Sequence, residues 1–512
     1  MEAPVDGAAH VSINAVSACV KPNERVHLLG LDFGSTTSSA LVASATLSRS
    51  SASGRMEFCD TAIEFRSEPV FTPFIGQTID IVKVTALIHY WLQQSGLGHA
   101  SALNIGSETS HLNTNSVFSG GSIITGLAAQ ADNAAALSKV IHLIVGDSVI
   151  ATADDPCLES WLAFMGSCSA LSRYHIDKPI LNLDIGGGTT NAALGINGDV
   201  LETGCYFIGA RHFQFAVGSY QLLALSDYGA AILKDLQIKA TIGDTLNTTE
   251  CEKIISFYIK ALEAIVLGNT EFFSSALAQA HTQVAFQSHD YPKSIITFSG
   301  GVGELLYQHA AGGALASTNF FGDFGIDLAR AIAHSPILSA NLNTEQPENK
   351  GRATVYGLTL HNTEISGHTI FLPKPNCLPL RDLPIIAKLS LQSPNDQWHC
   401  AFTLAAKREL GACIQIIGVD ALNHDKLLDE TRALAQKIKA YWLANQMTNT
   451  QPLLILIEAN IGKTLGNYVT DWGQCMQNMI VIDEVPLRNA HFVNIGRLHQ
   501  QMVPVSFFGM HQ

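Results

Sequence analysis

The chain has 512 residues, which suits two or three domains. Hydrophobic residues make up 47% and charged residues 14%, a composition that argues against a chain that is disordered as a whole and favours a compact globular protein. The formal net charge of −14 argues against a nucleic-acid partner, and the absence of an apolar run of about 18 residues argues against a membrane span.

The beginning of the chain predicts neither a secretory signal nor a structured segment. Residues 1–25 have no basic stretch followed by an apolar core, so we expect a disordered leader, with a docking helix over 11–20 as the alternative. The ten cysteines are scattered and form no CxxC pair. They therefore favour unpaired thiols in a reducing cytosol over a zinc site or a redox dithiol.

One strand-turn-strand pattern occurs twice. Residues 26–34, VHLLGLDFG, read as a buried strand that enters a glycine turn, and residues 38–47 read as the returning strand. Residues 179–196, PILNLDIGGGTTNAALGI, repeat the design with an Asp, a glycine turn and a Thr pair. A third strand follows over 198–208, so Asn197-Gly198 predicts a hairpin turn.

Further along, helical and strand patterns alternate. Residues 248–268 have apolar positions at helical spacing, with Thr248 or Thr249 as the expected cap and Gly268 at the end. SIITFSGGVGE, at 294–304, predicts a strand, a glycine turn and a helix that begins near Glu304. The last part of the chain predicts an α/β unit with a helix and two buried strands, at 424–446, 453–459 and 479–485.

The repeated turns are suited to phosphate chemistry. Glycine lets the backbone bend so that its N–H groups converge on one point, which forms an anion site, and Thr hydroxyls add hydrogen bonds. Asp32 and Asp184 hold equivalent places beside the two turns and would supply hard oxygens to Mg²⁺ or its waters. In the third segment, Ser299–Glu304, glycines would let a base and ribose approach the backbone, at the N-terminus of a helix.

The order DFGSTT (32–37), DIGGGTT (184–190) and SGGVGE (299–304) resembles the actin-like (ASKHA, ribonuclease H-like) ATPase superfamily. The resemblance implies a two-lobed α/β fold that binds ATP with Mg²⁺, with two phosphate loops and an adenosine segment. The residues that it implies for nucleotide binding are Asp32, Gly34, Ser35, Thr36, Thr37, Asp184, Gly186, Gly187, Gly188, Thr189, Thr190, Gly300, Gly301, Gly303 and Glu304. Asp32 and Asp184 are the expected metal residues.

A closer resemblance, over roughly residues 26–508, is to the ethanolamine ammonia-lyase reactivating factors. Four of its segments lie outside the shared nucleotide core: RATVYG (352–357), LPLRDLPI (378–385), GKTLGN (462–467) and VIDEV (481–485). The family implies a chaperone with ATPase activity that releases damaged cobalamin from the lyase so that adenosylcobalamin can enter. The expected partners are the lyase and ATP or ADP. The expected location is the cytoplasm, with a homodimer and association with a bacterial microcompartment left open.

The chain departs from that family after IITG (123–126). Leu127 stands where the family more often has an acidic residue, and this puts the rate of hydrolysis in question. Glu159, in the LES segment at 158–160, is then the candidate substitute, so Glu159 and Asp184 are the predicted catalytic residues. Asp154 and Asp155 precede Pro156 and are expected to cap a helix rather than bind metal.

The expected organisation is a leader (1–25), a first actin-like lobe (26–178), a second lobe with the adenosine segment (179–360) and a C-terminal α/β region (361–512). Two other functions stay open on the same fold, a kinase of a sugar-type metabolite and a nucleotide-regulated scaffold or filament. Gly462-Lys463-Thr464 resembles a P-loop, but that motif needs glycine where Ile457 stands, so we expect an ordinary turn.

Overall fold

A computed structural model describes residues 25–34, 37–51, 54–75, 78–97, 117–125, 128, 131–145, 149–153, 155–286, 294–317, 319–419, 424–445, 447, 451–476 and 478–510. Of the predicted leader, only Arg25 lies within these ranges, and it begins the first strand. Within the same ranges, no helix has both the length and the apolar character needed to cross a membrane. The chain builds three main β-sheets with helices packed on them.

The first sheet contains the first predicted strand pair. Its strands and helices are β1 (Arg25–Phe33), β2 (Thr37–Arg49), β3 (Met56–Arg66), β4 (Val70–Phe71), the separate hairpin β5 (Phe74–Ile75) and β6 (Thr78–Ile79), α1 (Ile81–Gln94), β7 (Val117–Ile124), α2 (Ala134–Val145) and β8 (Val149–Ala153). The order is β3-β2-β1-β7-β8, with β1 antiparallel to β2 and parallel to β7. β1 is buried over most of its length, as its apolar sequence predicts.

The second sheet repeats this arrangement. Between the sheets the chain forms α3 (Pro156–Tyr174), and the sheet itself contains β9 (Ile180–Ile185), β10 (Thr190–Ile196), β11 (Asp199–Tyr206), β14 (Thr282–Val284) and β15 (Ile295–Ser299). The order is β14-β11-β10-β9-β15, with three antiparallel strands joined by turns and β15 parallel to β9. The turn at Asn197 and Gly198 has positive φ angles of 53° and 87°, which confirms the predicted hairpin.

Between β11 and the third sheet lie further elements, and all but the last of them share one hydrophobic core with the second sheet. They are β12 (Phe213–Phe215), β13 (Leu222–Leu225), α4 (Asp227–Asp235), α5 (Thr248–Leu267), α6 (Ala276–Ala280), α7 (Gly300–Ala310), α8 (Gly325–His334) and α9 (Ala353–Leu360). The helix predicted over 248–268 is confirmed, but the predicted cap is wrong. Asn247 caps α5 because its side chain accepts a hydrogen bond from the Glu250 N–H at 3.0 Å while Glu250 bonds back to the Asn247 N–H at 2.9 Å.

Helices α3 and α9 tie the two sheets together. α3 packs against β9, β10 and β11 of the second sheet, whereas α9 packs against β1 and β2 of the first, and the two helices pack against each other. At their crossing, a Cβ on Gly166 would overlap the carbonyl oxygen of Ala353, and a Cβ on Gly357 would overlap that of Leu162. The two helix backbones are therefore in direct contact, and only glycine permits this approach.

Gly166→Ala tests this contact. The added methyl group has no room between two rigid helix backbones, so we expect the free energy of unfolding to fall by about 1–3 kcal/mol. Urea denaturation measures the loss. Ala170→Ser, on the exposed face of the same helix, serves as the control and should change it by less than about 0.5 kcal/mol. An unchanged stability in Gly166→Ala would show that the helices separate without cost.

The third sheet lies in the C-terminal part of the chain. Its elements are β16 (Thr363–Ile365), β17 (Leu380–Leu389), α10 (Asn395–Ala406), β18 (Ala412–Ile416), α11 (His424–Ala444), β19 (Leu453–Ile457), α12 (Gly462–Val469), β20 (Met479–Ile482), β21 (Ala490–Ile495) and β22 (Pro504–Met510). β17, β18, β19 and β20 run parallel, which confirms the predicted α/β unit. Gly462 begins α12 and donates its N–H to Asp483 at 2.7 Å, so a carboxylate occupies the start of this helix.

Candidate functional site

The first glycine turn joins β1 to β2. Asp32 is the last residue but one of β1, and Thr37 is the first residue of β2. The Gly34 N–H donates to the Thr37 carbonyl at 3.0 Å and closes the turn, while the Thr72 hydroxyl donates to the Gly34 carbonyl at 2.7 Å. Ser35, between these residues, lies outside the described residues together with Thr36.

The second glycine turn, from β9 to β10, has the same construction. Asp184 is again the last residue but one of its strand, and the Gly186 N–H donates to the Thr189 carbonyl at 2.9 Å. Gly187 and Gly188 complete the turn, and Thr190 begins β10. The similarity predicted from the sequence is therefore a similarity of backbone hydrogen bonding. The phosphate-binding role of both turns stays a prediction.

The third glycine segment lies beside the second turn. α7 begins at Gly300, so the prediction that this helix starts near Glu304 is wrong. Gly300 has a φ angle of 78° and packs on the backbone of Ile185. Within the described residues, a Cβ on Gly301 would meet no atom within 4 Å, so this helix start faces open space. Gly303 packs closely on β15, and the Glu304 carboxylate lies against Gly351.

Three predicted residues form one acidic cluster. Burial raises the pKa of Asp184 to about 6, and burial together with the negative charge of Asp184 raises the pKa of Asp32 to about 7. The pKa of Glu159 lies well above its usual value, first because of burial and then because of the charges on Asp184 and Asp32. The structure thus brings together two aspartates that lie far apart in the sequence, and adds Glu159 to them.

Neighbouring polar side chains orient these carboxyl groups. Glu159 is hydrogen-bonded to Thr125 and Asn191, and Asp184 accepts a hydrogen bond from the Ser299 hydroxyl at 2.5 Å. Ser299 in turn accepts one from the Asn182 side chain at 2.8 Å. Within the described residues, Oδ1 of Asp32 is buried and has no hydrogen-bond partner.

The residues that orient the carboxyl groups were not predicted from the sequence. Asn182 and Asn191 stand two residues before and seven residues after Asp184, and a polar residue inside an apolar strand was the available signal. Ser299 lies in the third glycine segment, but its contact with Asp184 depends on β15 pairing with β9.

Asp155 caps α3 by accepting a hydrogen bond from the Leu158 N–H at 3.0 Å, as predicted. Asp154 and Leu127 lie outside the described residues.

Ser299→Ala removes the hydroxyl that donates to Asp184. This hydrogen bond favours the charged carboxylate, so its loss should raise the pKa of Asp184 further and weaken binding of magnesium by about 3- to 10-fold. Titration calorimetry with Mg²⁺ and nucleotide at about pH 7 measures the change, and the difference should shrink towards about pH 9, where the carboxyl is ionised in both proteins. A difference that does not depend on pH would contradict this role.

No group of three or more His, Cys, Asp or Glu side chains in the described part of the chain is arranged to ligate a metal directly.

The repeated sheet order and the paired Asp-Gly turns define an actin-like α/β protein with an additional C-terminal α/β region. The model of the family described as "Ethanolamine utilisation protein EutA" matches residues 24–507. The chain belongs to this family.

Two curated relatives carry the name ethanolamine ammonia-lyase reactivase EutA. The proteins from Salmonella typhimurium and Escherichia coli are each 29% identical to this chain over 477 residues, which cover 91% of this chain and 94% of theirs. Among solved structures, a Ppx/GppA family member from Aquifex aeolicus is 13% identical, covers 66% of this chain and 88% of its own, and has a TM-score of 0.32. Similarity at that level does not bear on the function of this chain.

Proposed function

We propose that this protein is an ATP-dependent reactivase of ethanolamine ammonia-lyase, which releases damaged cobalamin so that adenosylcobalamin can rebind. The observation that carries the proposal is the family match over residues 24–507, because it includes the C-terminal region as well as the nucleotide core. Both curated relatives bear the name of this activity and align over nearly their whole length.

The nucleotide would bind between the first two sheets. Its phosphates would meet backbone N–H groups of the turns at 32–37 and 184–190, and its adenosine would meet the glycine segment at 300–304. The support for this placement is the effect of the Asp184 charge on the pKa of Asp32, because such an effect means that the two carboxyl groups lie close together. The packing of Gly300 on the backbone of Ile185, beside the second turn, supports the position proposed for the adenosine.

The acidic cluster fits a magnesium ion. Three buried carboxyl groups repel one another, and the unpartnered Oδ1 of Asp32 is a hard oxygen of the kind that Mg²⁺ prefers. Asp32 and Asp184 would hold the ion through its water ligands. When bound, Mg²⁺ supplies positive charge that stabilises the negative charge on the transferring phosphoryl group.

Glu159 is the residue proposed to receive a proton. Its hydrogen bonds to Thr125 and Asn191 fix the direction of the carboxyl group, and its raised pKa makes it a stronger base once it is ionised. It would accept the proton of the water that attacks the terminal phosphate. This assignment gives the chain a base despite Leu127, where the family more often has an acid.

Nucleotide state would change the angle between the first two sheets, since the terminal phosphate is the part of ATP that both turns bind. The contact between α3 and α9 joins the two sheets, so such a change in angle would have to be accommodated there. ATP- and ADP-bound forms would then differ in affinity for the inactive lyase, and only such a difference can drive release of the spent cofactor. A cytoplasmic location, with association of this protein with a bacterial microcompartment, fits this role.

A reactivation assay tests the function. The purified protein is mixed with cobalamin-inactivated lyase, ATP, Mg²⁺ and fresh adenosylcobalamin, and recovery of ammonia release is followed. We expect recovery that needs both ATP and Mg²⁺. No recovery, together with ATP-dependent phosphorylation of a small metabolite, would favour the kinase, and pelleting of the protein on sedimentation with ATP would favour a filament.

A further inference from the structure

Arg211 lies beside the second glycine turn but has no part in the site described above. Its backbone N–H donates to the Gly187 carbonyl at 2.6 Å, so the residue is fixed to the turn itself. Nη1 of its guanidinium is buried and has no hydrogen-bond partner among the described residues. Burying a charged donor without a partner costs free energy, so such a group is expected to meet an acceptor that binds there.

The side chain reaches from the segment that follows β11 to β4 of the first sheet. The guanidinium Cζ of Arg211 lies 5.4 Å from the centre of the Phe71 ring. Phe71 is in β4 and pairs with Thr37, the residue that closes the first glycine turn. Arg211 is thus anchored at one turn and stacked against the strand that flanks the other.

The charge around Arg211 leaves a phosphate as the fitting acceptor. Asp323 is a negative side chain whose charge interacts with that of Arg211, but its Oδ1 accepts a hydrogen bond from the Gly325 N–H at 2.9 Å. A guanidinium presents a planar fork of N–H donors that matches two phosphate oxygens at once. An arginine between two phosphate-suited turns therefore complements the polyphosphate and not the base.

We infer that Arg211 contacts the terminal phosphate of the nucleotide and makes the site select ATP over ADP. This inference rests on the proposed function, in which the terminal phosphate is the group that both turns bind. Arg211 reaches from one of these turns to the strand beside the other. Its guanidinium would therefore contact the terminal phosphate of ATP, and it would lose this contact in ADP, which lacks that phosphate.

The test compares binding of Mg-ATP and Mg-ADP by titration calorimetry in the full chain and in three variants. Arg211→Gln should weaken binding of ATP by about 10- to 100-fold and that of ADP by less than about 3-fold. Arg211→Lys, which keeps the charge but not the fork, should show an intermediate loss for ATP. Arg432→Gln is the matched control, because Arg432 also stacks on an aromatic ring, Tyr468, in the C-terminal region, and it should bind both nucleotides as the wild type does.

Two results would overturn the inference. Either Arg211→Gln binds ATP as tightly as the wild type, or both nucleotides are weakened equally, which would indicate a packing role with Phe71. Should Arg211→Gln not fold, the ratio of ATP to ADP affinity in Arg211→Lys decides in the same way. If the wild-type protein binds neither nucleotide, the proposed function itself fails, and that outcome is distinct from a selective failure of Arg211.

Discussion

Asp184→Asn is expected to reduce Mg²⁺-dependent ATP hydrolysis by about 10²- to 10³-fold, the usual loss when one electrostatic contact to a developing charge is removed. Asparagine keeps the shape of the side chain and can still pair with the Ser299 hydroxyl, but it carries no negative charge. The ion would then rely on Asp32 alone. Nucleotide binding in the absence of Mg²⁺ should change little, since the backbone turn is intact.

Steady-state phosphate release and a Mg²⁺ titration measure this loss. Asp199→Asn, at the exposed first residue of β11 in the same sheet, is the matched control and should hydrolyse ATP as the wild type does. In the wild type, Mg²⁺ affinity should rise between about pH 5 and about pH 8, because the protons that must leave belong to groups whose pKa values are raised to about 6 and about 7. A variant that hydrolyses ATP normally would refute the metal role of Asp184.

Glu159→Gln should lower the hydrolysis rate by about 10²- to 10⁴-fold while leaving ATP binding nearly intact, the pattern of a lost general base. Glutamine keeps the hydrogen bonds to Thr125 and Asn191 but cannot accept a proton. Single-turnover hydrolysis and equilibrium binding separate these two effects. If binding and hydrolysis fall together, Glu159 holds the site together and is not the base.

Glu159→Gln should also raise the free energy of unfolding of the nucleotide-free protein. The direction of this change follows from the raised pKa of Glu159. The pKa of Glu159 is higher in the folded than in the unfolded chain, so its contribution to stability is present below the unfolded pKa and is lost as pH rises through the folded pKa. Glu159→Gln should therefore unfold at a higher temperature than the wild type at about pH 8 and at a similar one at about pH 4. A lower temperature at alkaline pH would contradict the repulsion within the acidic cluster.

Local patterns in the sequence predicted the elements that local chemistry controls. The two Asp-Gly turns, the Asn197-Gly198 hairpin and the helix over 248–268 depend on residues close together in the chain, where glycine content and apolar spacing restrict the backbone directly. The predicted ends of two helices were wrong because neighbouring residues compete for the capping or starting position. Asn247 rather than a following Thr caps α5, and α7 starts at Gly300 because glycine tolerates the positive φ needed against Ile185.

The sequence by itself determined the class of fold, the two acidic turns and the family to which the chain belongs, since these are encoded in short segments and their order. Tertiary structure alone decided which side chains meet: Ser299 reaches Asp184 through strand pairing, Glu159 joins the two aspartates, and Arg211 extends from one turn towards the other. The physical reason is that burial and charge repulsion act through space. They depend on how α3, α9 and the two sheets pack, and no local pattern records that packing.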